Sequence, residues 1–432
     1  MDPFDLLDSI PAIVRILVVF VLILAAIKRN LGLGNAFMAG SAVMGLVFAM
    51  SPLTILVAAG GALIHPKTLG LSIIVSLILV LSHSLERSGQ MARLLEGFKG
   101  LIRRPQINMV VFPALIGLLP MPGGAIFSAP MVRTLGDRHH LNAAQLSYIN
   151  YWFRHIWEYW WPLYPGILLT TTLAGLDLWR LIFCTLPLTF VAFTTGYWPL
   201  RGVFNGGSTE DRRKPLWPFL KELGPIAFVI AFGLALGETI TWIGPTATVS
   251  IAKELGLMVA LISAIAWVWR RNRMPAEDCR AILVQPAVVK MIYMVAGILV
   301  FKGILDSSGA VERLSREMLA SGIPLMPIAM LLPFLVGGVA GITIAFVGAT
   351  FPILISLIHA LGQPELMLPY MMLSLVCGFS GVLLSPLHLC LLLSNEFFHT
   401  PFMPVYRLMR VPMVALVAAG AVYFALLRYW IG

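Results

Sequence analysis

The sequence predicts an all-α polytopic membrane protein: about ten transmembrane helices plus two re-entrant hairpins, in two inverted-topology repeats. Three observations carry that expectation. Of 432 residues, 59% are hydrophobic and only 12% are charged, about half the charged share that covers a soluble domain. Apolar runs at 10–27, 69–85, 225–243 and 411–427 approach or reach the roughly 20 residues of a bilayer span. A segment that begins at Leu85 recurs at Leu305.

The net charge is +10, but the basic residues sit in short loops between apolar runs. That is the pattern of charge retained on the cytoplasmic side, not of a nucleic-acid groove, so nucleic acid is excluded as a partner. The acidic start (Asp2, Asp5, Asp8) lacks the basic region of a cleaved signal peptide. The longest polar stretch, Arg201–Lys221, is too short to fold alone. Cys184, Cys279, Cys377 and Cys390 have no CxxC or Cys/His metal spacing and read as small apolar packing residues, with no metal expected.

The elements follow in order from the charges. Two basic loops, one with Arg201, Arg212, Arg213, Lys214 and Lys221 and one with Arg270, Arg271, Arg273 and Arg280, are separated by two apolar segments, 222–243 and 246–269. Both loops can therefore face the cytoplasm. Working outward, 178–199 enters from outside, 143–174 runs outward, and Arg87–Arg104 and Lys28-Arg29 fall inside. Toward the C-terminus, 281–305 runs outward, 364–394 inward and 411–430 outward, with Arg407 and Arg410 inside and both termini outside. Segment 33–64 is too long for one upright helix and breaks at Ser51-Pro52. The resulting organisation is 1–67, N-terminal spans; 68–200, repeat 1; 201–280, basic cytoplasmic loops and two linking spans; and 281–432, repeat 2.

Sliding the chain along itself until Leu85 meets Leu305 lays Leu85–Leu94 on Leu305–Leu314 with five of ten positions identical. The same displacement lays Pro113, Leu115 and Gly117 on Pro333, Leu335 and Gly337. A slightly larger one lays Pro162-Leu163 on Pro386-Leu387. Loop 86–104 is inside and its counterpart 306–322 outside, so the halves would cross in opposite senses, the architecture of many carriers.

Each half contains an apolar tract broken by Pro and Gly: 107–135, centred on Leu119–Pro130, and 324–361, with Val336–Thr343 and Gly348–Pro352. Irregular backbone survives at membrane depth only where protein or a water-filled cavity satisfies it. Each tract reads either as a re-entrant hairpin or as a kinked span. A long interrupted helix follows each: 143–174, with Asn142 and Gln145 as a capping box and Pro162 and Pro165 as breakers, and 364–394, broken at Ser380-Gly381 and Ser385-Pro386.

Ionisable residues at membrane depth need an explanation. Asn150, Arg154 and Glu158 lie at i, i+4 spacing, with His155 beside them. Two readings compete. Arg154 and Glu158 form a structural pair, or Arg154 holds a substrate carboxylate while Glu158 or His155 carries a coupling proton. The neighbouring Trp152, Trp157, Trp160 and Trp161 read as a cavity wall or a lipid-facing belt. His388, Ser385 and Ser380 lie on the second interrupted helix. Lys290 and Lys302 are expected to snorkel, and His139-His140 to be solvated.

The PMPGGAIFSAP tip, the matching GGVAGITIAFVGATFP and the serine–glycine repeat loop together resemble an uncharacterised prokaryotic membrane-protein family of the ion transporter superfamily, over roughly 10–430. Gluconate permeases, citrate and dicarboxylate transporters and the large membrane subunit of tripartite periplasmic carriers are distant relatives of that family. The resemblance implies inverted repeats, paired hairpins, an elevator-like movement and a site at Pro122, Gly123, Gly124, Gly341 and Thr343, with breaks near Pro162 and Ser385. The chain lacks the Ser-Asn-Thr tip signature of the dicarboxylate/sodium branch, which leaves coupling ion and substrate open.

The expected function is secondary transport of a small carboxylate-like anion across the inner membrane, coupled to H+ or Na+. The alternative is a monovalent cation/proton antiporter. The expected substrate-binding residues are Pro122, Gly123, Gly124, Ser128, Asn150, Arg154, Gly341, Thr343, Ser380 and Ser385. Coupling falls to His155, Glu158 and His388. No HExxH, GxSxG, P-loop or paired intramembrane aspartates occur, so neither an enzyme nor a cofactor is expected. The partners are the anion, the coupling ion and the bilayer, with a homodimer left open.

Overall fold

In hydrocarbon a chain must satisfy its own backbone polar groups, and apolar runs of this length do so as helices. A computed structural model describes residues 10–29, 31–98, 101–102, 105–119, 124–137, 139–201, 215–243, 252–322 and 324–431. Among these residues every regular element is helical. The N-terminal half comprises α1 (Ala12–Lys28), α2 (Leu33–Val47), α3 (Pro52–Ile64), α4 (Pro66–Arg87), α5 (Gln90–Phe98), α6 (Pro105–Gly117), α7 (Ala125–Asp137), α8 (Ala143–Trp152), α9 (Pro165–Ala174) and α10 (Leu178–Tyr197). After it come α11 (Trp217–Ile243), α12 (Ala252–Arg271), α13 (Ala276–Leu283), α14 (Pro286–Ser307), α15 (Ala310–Ser321), α16 (Leu325–Ala340), α17 (Thr343–Ala360), α18 (Met367–Leu384), α19 (Leu389–Phe398) and α20 (Phe402–Ile431).

Eight stretches among the described residues are long and apolar enough to cross a bilayer, which makes this a multi-pass membrane protein. The expectation was ten. Three expected spans are shorter or divided. Helix α1 has 17 residues. Segment 33–64 divides where Ser51 Oγ accepts from the Thr54 amide and Pro52 opens α3. Segment 143–174 divides into α8 and α9. In the other direction, Thr343–Ala360, expected as one arm of a hairpin, has the length and apolarity of a span.

Burial sorts the helices. The apolar windows of Thr68–Arg87 and Thr343–Ala360 are each 78% buried within the protein, whereas those of Trp217–Ile243 and Phe402–Ile431 are 22% and 28% buried. The first two belong to the core and the last two to the lipid-facing rim. Helices α16 and α18 cross closely. A Cβ on Gly337 would strike the Gly378 carbonyl, and one on Gly381 the Phe334 carbonyl. Small residues allow this approach where lipid offers no hydrophobic drive to association.

The ion pairs fall at two ends of the bundle. Arg87 meets Asp278 at 2.6 Å, and Glu222 meets Arg271 at 2.5 Å and Arg93 at 3.4 Å. Lys253 meets Asp177 and, at 3.1 Å, Glu238. Lys253 and Arg271 stand at opposite ends of α12, about 27 Å apart along its axis. The first set joins loops that the charge pattern assigns to one side, and the second joins turns it assigns to the other. Likewise Glu317 caps the start of α1 through the Ala12 and Ile13 amides, at 2.6 and 3.0 Å.

The repeated segment has one local structure in both halves. Helices α4 and α14 end at Arg87 and Ser307, and Gly89 (φ +70°) and Gly309 (φ +65°) turn the chain into α5 and α15. Ser88 Oγ and Ser308 Oγ donate to the Leu85 and Leu305 carbonyls, at 3.2 and 2.9 Å. Pro113 then lies inside α6 and Pro333 inside α16.

Candidate functional site

The site forms where three interruptions meet: the turns after α8, the α16–α17 junction and the α18–α19 junction. The capping box is present, with Asn142 and Gln145 bonding each other's amides at 2.9 and 3.0 Å. The helix it starts ends at Trp152, and a short 3-10 turn holds Phe153–His155. The expected α-helical stack of Asn150, Arg154 and Glu158 is therefore corrected: Glu158 lies in irregular backbone, not at mid-helix. Pro162 has no amide for the Glu158 carbonyl, and the backbone from Phe153 to Tyr164 makes short turns in place of an α-helix. In the second half, Ser380-Gly381 does not break α18. Ser380 Oγ bonds the Val376 carbonyl within the helix at 2.7 Å, and the break comes at Ser385–His388.

The tryptophans' indole N–H groups bond to acceptors on neighbouring elements. The indoles of Trp157 and Trp161 donate to the Ala114 and Leu118 carbonyls at 2.6 and 2.9 Å, and Tyr164 Oη donates to the Gly117 carbonyl at 2.5 Å. These are the last carbonyls of α6 and of the turn beyond it, which have no intrahelical partner. Trp160 reaches Thr189 Oγ1 at 2.6 Å, and Trp152 the Ala192 carbonyl at 2.9 Å.

Arg154, His155, Glu158, Thr343, Ser385 and His388 are all drawn to this junction. Arg154 and His155 are 2% exposed and Glu158 8%. Thr343 Oγ1 donates to Glu158 Oε2 at 3.0 Å, and Glu158 Oε1 is 3.8 Å from His155 Nε2. His155 Nε2 is 3.2 Å from His388 Nε2, and His155 Nδ1 is 2.6 Å from the Tyr151 carbonyl. A carbonyl only accepts, so Nδ1 of His155 carries hydrogen. In the neutral pair its Nε2 then accepts from His388 Nε2–H, which leaves a lone pair on His388 Nδ1. That atom is buried with no hydrogen-bond partner among the described residues. Gly341 adopts φ +67°, and a Cβ there would lie 2.9 Å from Ser385 Oγ and 3.1 Å from the His388 amide nitrogen. A Cβ on Gly124 would strike the Arg154 guanidinium.

The remaining expected residues divide. Pro122 and Gly123 lie outside the described residues. Ser128 and Asn150 form a separate polar knot. Ser128 Oγ donates to Asn150 Oδ1 at 2.6 Å, while Asn150 Nδ2 donates to Ser394 Oγ at 2.8 Å and to the Ala125 carbonyl at 3.0 Å. Ser380 is buried but turned to its own helix. Sequence reasoning missed Cys390. Its thiol joins the two histidines, with ligand atoms all within 4.8 Å of one another. The His388-x-Cys390 spacing was visible, but the third member, His155, lies in the other half of the chain.

The model of the family described as a protein of unknown function (DUF401) matches residues 9–427. This chain belongs to that family. The match spans nearly the whole chain, so the junction and both copies of the repeated segment are parts of one DUF401 unit. No curated protein matches the chain.

Proposed function

We propose that this DUF401 protein is a secondary active transporter that moves a small carboxylate-like anion across the inner membrane by an elevator-like alternation, coupled to H+ or Na+. The observation that carries this reading is the buried Arg154–Glu158–Thr343 junction, built from backbone interruptions in both halves. A buried guanidinium offers a planar fork to a carboxylate. Broken helices bring free backbone groups to the same depth. The two turns at Gly89 and Gly309, at equivalent places in the repeated segment, support an internal repeat, and the charges of the loops around them support its inversion. The end of α6 at Gly117 and the break between α16 and α17 at Gly341-Ile342 support paired re-entrant hairpins. A cavity of about 600 Å³, lined in part by His65, Lys302, Asp306 and His359, reaches Thr172–Gly175 at the far end of α9. The near end of that helix packs on Thr343 through Gly166, so the cavity approaches within about 15 Å of the site.

The test is a thermal-shift screen of purified protein against small organic anions, with and without sodium, followed by uptake into proteoliposomes. An anion that stabilises and accumulates in wild type, with at least a tenfold loss in Arg154→Lys, supports the reading. Binding unaffected by that substitution removes Arg154 from the site and sinks the proposal. The hydroxyl–carboxylate pair of Thr343 and Glu158 favours one second reading, a monovalent cation/proton antiporter. Cation-dependent proton flux in vesicles free of organic anion would select it.

A further inference from the structure

Two histidines and a cysteine, drawn from opposite halves of the chain, converge on one point. His155 comes from the turn after α8, His388 from the α18–α19 break and Cys390 from the first turn of α19. All three are buried, and one ligand atom of each lies within 4.8 Å of the others.

Several features of this cluster match a metal centre better than a packed polar group. The His155 Nδ1 bond to the Tyr151 carbonyl, 2.6 Å, is the outer hydrogen bond that a ligating imidazole makes, and it turns the Nε2 lone pair inward. The two Nε2 atoms face each other at 3.2 Å, close to the about 3.3 Å expected of two nitrogens on one tetrahedral ion. Among the described residues His388 Nδ1 is buried without a hydrogen-bond partner. Imidazole and thiolate together suit Zn2+ and disfavour Mg2+ or Ca2+.

We propose that His155 Nε2, His388 Nε2 and Cys390 Sγ bind one Zn2+, with its fourth position facing Glu158. On binding, the hydrogen between the two Nε2 atoms moves to His388 Nδ1. Cys390 releases its thiol proton to solvent. One thiolate leaves a net charge of +1 on the ion, and the adjacent Arg154 adds another positive charge. The Glu158 carboxylate supplies the opposing charge. Its Oε1 is 3.8 Å from His155 Nε2, a ligand-to-ligand separation, while Oε2 stays with Thr343. The ion would tie the break of the first half to that of the second.

The probe is Co2+, which reports tetrahedral thiolate ligation by its visible bands and a sulfur-to-cobalt charge-transfer absorption. Full-length protein in detergent is kept reduced, stripped of metal and titrated with Co2+, then with Zn2+. Saturation at one Co2+ per chain with charge-transfer absorption, displaced by Zn2+, supports the site. Cys390→Ser should abolish the charge-transfer band, and His388→Ala should weaken Co2+ binding by at least about tenfold. Cys377→Ser should change neither. Melting curves of each metal-free variant confirm that it is folded. A wild type that gives no charge-transfer band, a band that persists in folded Cys390→Ser, or one lost in Cys377→Ser overturns the proposal. The titration uses no organic anion and no gradient, so its failure would leave the carrier reading untouched.

Discussion

At the scale of single residues, the junction is an arrangement of buried acceptors that each require a donor. Glu158 Oε2 receives its bond from Thr343 Oγ1. Thr343→Val keeps the side-chain shape but removes the donor, leaving a buried carboxylate oxygen short of a partner. That should cost about 1–3 kcal/mol, measured by denaturant or thermal unfolding in detergent, and Thr343→Ser should recover most of it. An unchanged melt for the valine variant would show that water replaces the hydroxyl. Gly341 is a second such point. Its φ of +67° and its closeness to Ser385 Oγ and the His388 amide leave no unstrained place for a side chain. Gly341→Ala should destabilise by about 1–3 kcal/mol, whereas Gly362→Ala, with the same φ and open space around it, should cost less. Residue types at the site were legible in the sequence: Arg154, His155, Glu158 and His388 are ionisable groups in apolar surroundings. Their partners were not. Thr343 and Cys390 are ordinary residues for a membrane helix, and only the fold brings them to Glu158 and His155.

At the scale of elements, the expected breaks and the observed breaks differ for a physical reason. Pro162 and Ser385-Pro386 correctly marked where backbone continuity fails. The first break opens well before Pro162, just after Trp152, because the segment from Phe153 to Tyr164 is held by tertiary hydrogen bonds rather than by its own helix. Trp157, Trp161 and Tyr164 carry N–H and O–H groups to the carbonyls that end α6. No local pattern announces a tryptophan that caps another helix, so the sequence left these indoles open between a cavity wall and a lipid-facing belt. Trp157→Phe should keep the ring's apolar contact and strand the Ala114 carbonyl, at about 1–3 kcal/mol. Trp217→Phe, whose ring is exposed at 71%, should leave the melting temperature nearly unchanged. Equal losses in the two variants would refute the capping role.

At the scale of the molecule, the two ends of the bundle are held by different ion pairs, and one of them titrates outside the apolar helices. Partial burial opposes ionisation of Asp177, but the bonds from Lys253 and from the Arg180 and Trp179 amides outweigh it and hold the carboxyl below its ordinary 3.8. A depressed folded value means stability that is present above the ordinary value and lost as pH falls through the folded one. The melting advantage of wild type over Asp177→Asn should therefore stay flat from neutral pH down to about 4 and shrink below it. A difference that grew on acidification would reverse the sign and discard the pairing. The arrangement of the two ends also makes the inverted repeat testable. Arg87 and Ser307 occupy matching places in the two halves, both are exposed, and each ends the helix before a left-handed glycine turn. The repeated segment was legible because those turns need Ser and Gly at fixed positions; the relative orientation of the proposed halves rested on loop charge alone. In a background with all four native cysteines replaced, Arg87→Cys and Ser307→Cys should react with a membrane-impermeant maleimide from opposite sides of sealed, oriented vesicles. The Arg87–Asp278 bond lost in the first variant is a partly exposed pair, worth about 0–1 kcal/mol, so folding should survive. Labelling of both positions from the same side would mean that the halves run parallel, and a carrier built on opposed hairpins would lose its geometric basis.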